Sequence, residues 1–154
     1  MTGGSVFVKE YFLMKIAVVV SPKNGEGKKL LDIAKIVTVT LEKRGYCVDL
    51  LNTAVDGDRK LTIYDYLVFV GETVSYFSKK ISPSLVKYLN NCGTISGKRA
   101  AVILGGKTLF RTKAMASLMR AVEGEGVILK TSEFCSNLSQ AAAYANNINV
   151  ERNY

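Results

Sequence analysis

Residues 16–31 constrain the fold of this chain more than any other segment. They begin with an apolar, β-branched run (16–20), pass through a glycine-bearing loop (21–27), and resume at Lys28 with apolar residues at helical spacing. A buried strand, a tight loop and a helix start form the first half of a βαβ unit. In open parallel sheets, ligands bind at the carboxyl ends of the strands, where loop amides and the helix dipole favour an anion. The segment therefore predicts an anion-binding crevice.

The rest of the chain repeats this alternation of strand and helix. Helices are predicted after the first, third, fourth and fifth strands, whereas residues 53–64 contain an Asp-Gly-Asp turn signal and no strong helix. Continuous apolar runs indicate strands buried on both faces, hence a parallel sheet covered by helices on both sides. The predicted fold class is α/β, a three-layer α/β/α sandwich around a five-stranded parallel sheet in the order 2-1-3-4-5. The four further strands begin near Tyr46, Tyr66, Arg99 and Val127.

Local signals predict parts of the core and two helix starts. Ser82-Pro83 places a capping hydroxyl before a proline in the first helical turn. Asn137 is predicted to cap the last helix, with Gln140 three residues later. Apolar helix positions, Val86 and Leu138 among them, are expected to face inward. The strand residues predicted to be buried are Val18, Val19, Val68, Val70, Val102 and Leu104.

Composition limits the chemistry. The chain has no histidine, which excludes Ser-His and Cys-His catalytic pairs. Its three cysteines, Cys47, Cys92 and Cys135, are far apart, so reduced core thiols are expected rather than a zinc site or a disulfide framework. The formal charge is +8, from 21 basic and 13 acidic residues, and no basic run exceeds two residues. A solvated basic surface explains this charge as well as an anionic partner does.

Length indicates one domain, residues 14–150, and the expected reduced thiols indicate a cytoplasmic protein. No apolar run approaches the ~20 residues of a membrane helix, so no membrane partner is expected. Residues 1–13 do not have the pattern of a signal peptide. They are interpreted as a native extension or a vector-derived remnant, with Met14 as an alternative start.

Three motifs resemble those of the flavodoxin-like family, which includes flavodoxins and NADPH-dependent FMN reductases. V-V-V-S-P-K-N-G-E-G-K-K-L-L resembles the family's phosphate loop, Y-D-Y-L-V-F-V-G-E-T its third strand, and L-G-G-K the loop after its fourth strand. The likeness spans about residues 14–148. It implies FMN as cofactor, with the first loop at the phosphate and the other two flanking the isoalloxazine ring. The implied cofactor-binding residues are Ser21, Lys23, Asn24, Gly25, Glu26, Gly27, Lys28, Thr73, Tyr76, Phe77, Gly105, Gly106 and Lys107.

The chain departs from the family pattern at the positions that matter most for FMN. The three hydroxyl positions of a flavodoxin loop read Pro22, Asn24 and Gly27, and Glu26 adds a negative charge beside the expected phosphate. Glu72 stands where the family has Ser-Pro after its third strand, so the family's proline is missing. Lys23 and Lys28 offer partial compensation, since charge-assisted hydrogen bonds are stronger than neutral ones. Tyr76 and Phe77 either stack on a flavin or pack under their loop, and Gly105-Gly106 also reads as a plain turn.

Two functions follow from this resemblance and its departures. The first is an FMN-binding redox protein, either an electron carrier or a flavin-dependent reductase, with a redox partner protein and a possible homodimer. The second is a flavodoxin-fold domain that has lost FMN and acts as an interaction or regulatory module. Nucleic-acid binding through the basic surface ranks below both, because the chain has no basic–aromatic motif.

Overall fold

The computed structural model describes residues 14–23 and 28–150 of the protein. These residues form five strands and four helices in strict alternation, except that β2 leads directly to β3. The elements are β1 (Lys15–Ser21), α1 (Lys28–Lys43), β2 (Cys47–Asn52), β3 (Tyr66–Gly71), α2 (Pro83–Leu89), β4 (Arg99–Leu104), α3 (Arg111–Glu123), β5 (Ile128–Phe134) and α4 (Leu138–Asn147).

The five strands form one sheet in the order β2-β1-β3-β4-β5, and every neighbouring pair is parallel. β1 lies between β2 and β3, with Val18 opposite Leu50 on one side and Val68 on the other. Each crossover from one parallel strand to the next passes over a face of the sheet. The predicted sheet order and strand direction are confirmed.

Alternate residues of the central strands build two hydrophobic cores, one on each face of the sheet. Val19, Phe69 and Val102 face α2 and α3. Val18, Val68 and Ile103 face α1 and α4. This division follows from the pleat, because successive side chains of a strand point to opposite faces. The six predicted core residues are all buried: Val18, Val19, Val68, Val70, Val102 and Leu104.

The prediction that every strand is buried on both faces is wrong for β5. This strand lies at the edge of the sheet and pairs only with β4, and its residues are exposed or half-buried. Two helix positions were also assigned to the wrong side, since Val86 is 47% exposed and Leu138 is 49% exposed. The buried faces of these two helices consist of other side chains, including Tyr88 in α2 and Ala141 in α4.

The two predicted helix caps have different outcomes. Asn137 caps α4 as predicted, and its side chain accepts a 2.9 Å hydrogen bond from the amide of Gln140. Ser82 precedes α2, but its hydroxyl makes no cap bond and instead lies 3.1 Å from the Ser84 hydroxyl. Residues 53–65 form turns without a helix, in agreement with the sequence. In the described parts of the chain, no helix is both long and apolar enough to cross a membrane.

Candidate functional site

The crevice lies where the chain leaves β1, β3 and β4. Ser21 and Gly71, the last residues of the neighbouring strands β1 and β3, are paired in register. The amide of Gly105, directly after β4, donates a 2.8 Å hydrogen bond to the carbonyl of Gly71. The sheet therefore brings the segments that follow these three strands to one edge, as the sequence predicts.

A carboxylate occupies the centre of this edge. Glu72 follows β3, and its side-chain Oε2 accepts a 2.8 Å hydrogen bond from the backbone N–H of Lys23 in the loop after β1. Only 7% of Glu72 is exposed. A Cβ at Gly106, which has a φ of +72°, would lie 3.1 Å from Oε1 of Glu72. The carboxylate is thus enclosed between the first loop and the turn after β4.

The Ser21 hydroxyl is engaged in a buried cluster with other hydroxyls. It lies 2.7 Å from the Ser84 hydroxyl at the start of α2 and accepts a 3.0 Å hydrogen bond from Thr53 after β2. Ser21 itself is fully buried. This cluster ties three elements together beneath the crevice, so the hydroxyl has structural partners already.

Hydrogen bonds connect the loop after β3 to the loop after β4. Thr108 donates through Oγ1 to the carbonyls of Ser78 (2.7 Å) and Tyr76 (3.2 Å). The amide of Leu109 donates to the same Tyr76 carbonyl at 2.8 Å. Thr73 is buried, and its hydroxyl donates to the carbonyl of Ser75. The two loops therefore form one connected unit.

This unit presents exposed apolar side chains to solvent. Tyr76 and Phe77 are 47% and 76% exposed, and their rings meet edge to face with centroids 5.2 Å apart. Residues 73–81 and 105–113 contain no Asp or Glu. We call the exposed apolar and basic residues of these two segments the loop surface: Val74, Tyr76, Phe77, Lys79, Lys80, Lys107, Leu109, Phe110, Arg111 and Lys113.

A cavity of about 290 Å³ opens beside the loop surface, between the carboxyl ends of β4 and β5. The guanidinium carbon of Arg111 lies 4.1 Å from the centroid of the Phe134 ring, a cation–π arrangement. The side-chain oxygen of Gln140 accepts hydrogen bonds from the amide and hydroxyl of Ser136. The sequence did not predict a ligand-binding role for Arg111 or Phe134, because no local sequence pattern links residues from different elements.

Only some of the predicted cofactor-binding residues lie close together in the structure. Asn24, Gly25, Glu26 and Gly27 lie outside the described residues. Lys28 begins α1 with an exposed side chain. Gly105 packs under α1, where an added Cβ would lie 2.5 Å from Cδ1 of Leu30. Of the described residues in the set, Tyr76, Gly106 and Lys107 line the cavity between β4 and β5, whereas Ser21 and Thr73 are buried in local hydrogen bonds.

The three cysteines differ in burial. Cys92 and Cys135 are buried free thiols, whereas Cys47 is exposed, so the prediction of three core thiols is wrong for Cys47. Burial, with the nearby Glu133 charge, raises the pKa of Cys135 to about 11, which keeps this thiol neutral. Among the described residues, no cluster of Cys, Asp and Glu is suited to hold a metal ion.

Comparisons with known proteins give matches in structure only. No protein-family model and no curated protein sequence matches the chain. A flavodoxin from Streptococcus pneumoniae TIGR4 is similar with a TM-score of 0.64 and 19% identity, over 85% of this chain and 94% of that one. Oxidised flavodoxin 2 from Bacillus cereus is similar with a TM-score of 0.65 and 18% identity, over 86% of this chain and 93% of that one.

A longer protein also contains this architecture. The flavodiiron protein from Giardia intestinalis is similar with a TM-score of 0.63 and 14% identity, over 95% of this chain but 37% of that one. At such low identities, the similarity establishes the architecture and not the chemistry. The strand order, the two covering helix layers and these structural neighbours agree: the chain has the flavodoxin-like fold.

Proposed function

We propose that this chain is a flavodoxin-fold domain that does not hold FMN and that acts as an interaction module. The observation that carries the proposal is the 2.8 Å hydrogen bond from the Lys23 amide to the Glu72 carboxylate. The first loop is where the flavodoxin-like family would bind the FMN phosphate. In this chain an internal anion already takes one of the donors of that loop.

Electrostatics oppose a phosphate beside this carboxylate. Glu72 is 7% exposed, so water screens its charge poorly. Two like charges a few ångströms apart repel by about 1 kcal/mol in water and by about 4 kcal/mol at a partly shielded site. The loop also lacks the family's three hydroxyls, and the Ser21 hydroxyl is engaged with Ser84 and Thr53. The described residues at the phosphate end therefore do not fit FMN.

The ring end gives a second argument. The loops expected to flank an isoalloxazine ring are joined by the Thr108 hydroxyl, whose one proton is shared between the Ser78 and Tyr76 carbonyls, and by a hydrogen bond from the Leu109 amide. Separating these loops to admit a ring would break bonds whose net value is ~1 kcal/mol each.

The loop surface supports a role in binding another protein. Phe77 and Leu109 are 76% and 59% exposed and lie on loops that are hydrogen-bonded to each other, and grouped exposed apolar side chains are typical of interaction sites. Its charged side chains are all Lys or Arg, with no acidic residue in either segment. Charge complementarity therefore favours an acidic protein partner, which the positive rim would attract and orient.

FMN binding and electron transfer remain the second candidate function, favoured by one observation. The exposed Tyr76–Phe77 pair lies on the loop where the family places its ring-stacking residue. FMN, if bound, would supply one- or two-electron redox chemistry. In this function the FMN phosphate would lie near the Glu72 carboxylate, which accepts the Lys23 amide.

Titration with FMN separates the two functions. We expect no saturable quenching of flavin fluorescence when the wild-type protein is added at up to millimolar concentration. Saturable quenching with a bound flavin spectrum would overturn the proposal and establish the second candidate. Because absence of FMN alone does not demonstrate a partner, the interaction needs its own measurement.

Photocrosslinking in cells tests the interaction. A photoreactive phenylalanine analogue replaces Phe77 in one variant and Val86, an exposed apolar residue on α2, in the control. We expect position 77 to give an adduct with one acidic protein that position 86 does not give. Changing Lys79 and Lys80 to Glu should abolish this adduct. Equal adducts from both positions, or insensitivity to the charge reversal, would refute the docking surface.

A further inference from the structure

The geometry points to a second ligand site, the β4–β5 cavity, which takes a small anion attached to one planar ring, such as an aromatic phosphate or carboxylate. This site goes beyond the proposed function and does not depend on it. It lies between the ends of β4 and β5 and shares Tyr76, Gly106 and Lys107 with the predicted cofactor-binding set, but Glu72 and Lys23 do not line it. Its residues that carry the argument are Tyr76, Lys107, Arg111, Phe134, Ser136 and Gln140.

The polar side chains that line the cavity mostly offer donors. Arg111 and Lys107 are cations, and the lining residues contain no Asp or Glu. The oxygen of Gln140 accepts two hydrogen bonds from Ser136, so the amide nitrogen of Gln140 is the end left to face a ligand. A site with donors and without carboxylates selects an anion.

Arg111 is positioned for this role by Phe134. The guanidinium carbon lies 4.1 Å from the ring centroid, so the plane of the ring supports the cation and limits its rotamers. A guanidinium held in this way loses less freedom when it binds a phosphate or carboxylate with two parallel hydrogen bonds. Glu133 does not line this cavity but a neighbouring depression, which shares Arg111, Phe134 and Gln140 with it.

The size and remaining walls favour a small ligand with a ring. The volume of about 290 Å³ lies near the lower end of small-molecule sites, which span roughly 300–1,000 Å³. Phe134 and Tyr76 provide aromatic surface, and Leu104 adds an apolar wall. The Cys135 thiol at the wall stays protonated because burial raises its pKa to about 11, so it adds no negative charge.

Amide chemical shifts of ¹⁵N-labelled protein, followed during titration with phenyl phosphate and with inorganic phosphate, test this site. We expect saturable shifts centred on Lys107, Ser136 and Gln140. Phenyl phosphate should bind about threefold or more tightly than inorganic phosphate, because the ring adds aromatic contact. Equal affinity for the two probes would overturn the assignment of a ring to the ligand.

Matched variants locate the binding. Arg111→Gln should weaken phenyl phosphate binding about tenfold or more, the value of a charged hydrogen bond. Arg120→Gln removes an exposed arginine from the other end of α3 and should leave the affinity unchanged. If Lys28→Gln abolishes binding while Arg111→Gln does not, the anion binds at the first loop and this site is refuted. No saturable shift with either probe would refute it as well.

Discussion

The backbone N–H of Lys23 and the carboxylate of Glu72 are 2.8 Å apart and join the loop after β1 to the residue that follows β3. The contact spans 49 positions of sequence. It places a nearly buried negative charge where an open parallel sheet would otherwise offer its amides to an anionic ligand. The fold thus supplies the crevice, and a single side chain changes what the crevice can accept.

Replacing Glu72 with Gln should open the crevice to anions. Gln keeps a side-chain oxygen that can accept the Lys23 amide but removes the negative charge. We expect saturable FMN binding to appear in this variant at low ionic strength, although the wild type shows none, since removing one like charge is worth about 1 kcal/mol or more. The gain should shrink as salt rises. FMN fluorescence titrations at two ionic strengths measure both effects.

Glu123→Gln provides the control for that experiment. Glu123 ends α3 and is exposed, so its replacement removes the same charge from the molecule without touching the crevice. An equal gain from both variants would show that net charge, and not the position of Glu72, limits binding. No gain from Glu72→Gln would contradict the argument from the carboxylate.

Gly105→Ala should destabilise the fold through one steric contact. The added Cβ would lie 2.5 Å from Cδ1 of Leu30, a side chain of α1 that is 1% exposed, so Leu30 would have to change its rotamer within a packed core. Overpacking of this kind costs about 1–3 kcal/mol. Chemical denaturation of Gly105→Ala, Leu30→Ala and the double variant forms a double-mutant cycle. The double variant should be less destabilised than the sum of the two single variants; simple additivity would contradict the contact.

The architecture could be predicted because it depends on periodicity. Buried residues such as Val18 and Val68 lie in apolar runs that can only be covered by helices on two faces, and βα alternation then fixes parallel strands. The prediction failed at the edge of the sheet. β5 has one neighbour, so its residues need not be apolar, and Ile128 is 48% exposed.

The site could be predicted only in outline. The positions of the loops follow from the sheet, which is why Ser21, Gly71 and Gly105 meet as expected. The contacts of the side chains do not follow. Thr108 bonds to carbonyls about 30 positions away, and Arg111 stacks on a ring of another element. Such contacts depend on rotamers and loop paths, which have no period in the sequence.

Thr108→Val should release the two loops from each other. The replacement preserves volume but removes a hydroxyl that donates to Ser78 and Tyr76 and accepts from the Phe110 amide. We expect a loss of about 1–3 kcal/mol, since partners are left unsatisfied. Amide hydrogen exchange should accelerate in residues 73–81 and stay unchanged in β1. Unchanged exchange in the loop would show that Thr108 does not hold it.

Stability should fall at alkaline pH, in part because of Tyr64. Burial, followed by the 2.7 Å hydrogen bond from its hydroxyl to Asp49, raises the pKa of Tyr64 from 10.0 to about 12. The folded state therefore keeps a proton that the unfolded state has lost, so this contribution to stability is full below pH 10 and decreases as pH rises toward 12. Burial also raises the pKa of Tyr88, which acts in the same direction.

Tyr64→Phe isolates that contribution. The variant should be less stable than the wild type by about 1 kcal/mol at pH 7, because the bond to Asp49 is lost. Its stability should decline less steeply than that of the wild type between pH 10 and 12, since no group at this position can ionise. Urea denaturation at pH 7, 10 and 11 measures the difference, which should narrow as pH rises. A constant difference across these values would show that Tyr64 does not couple folding to pH.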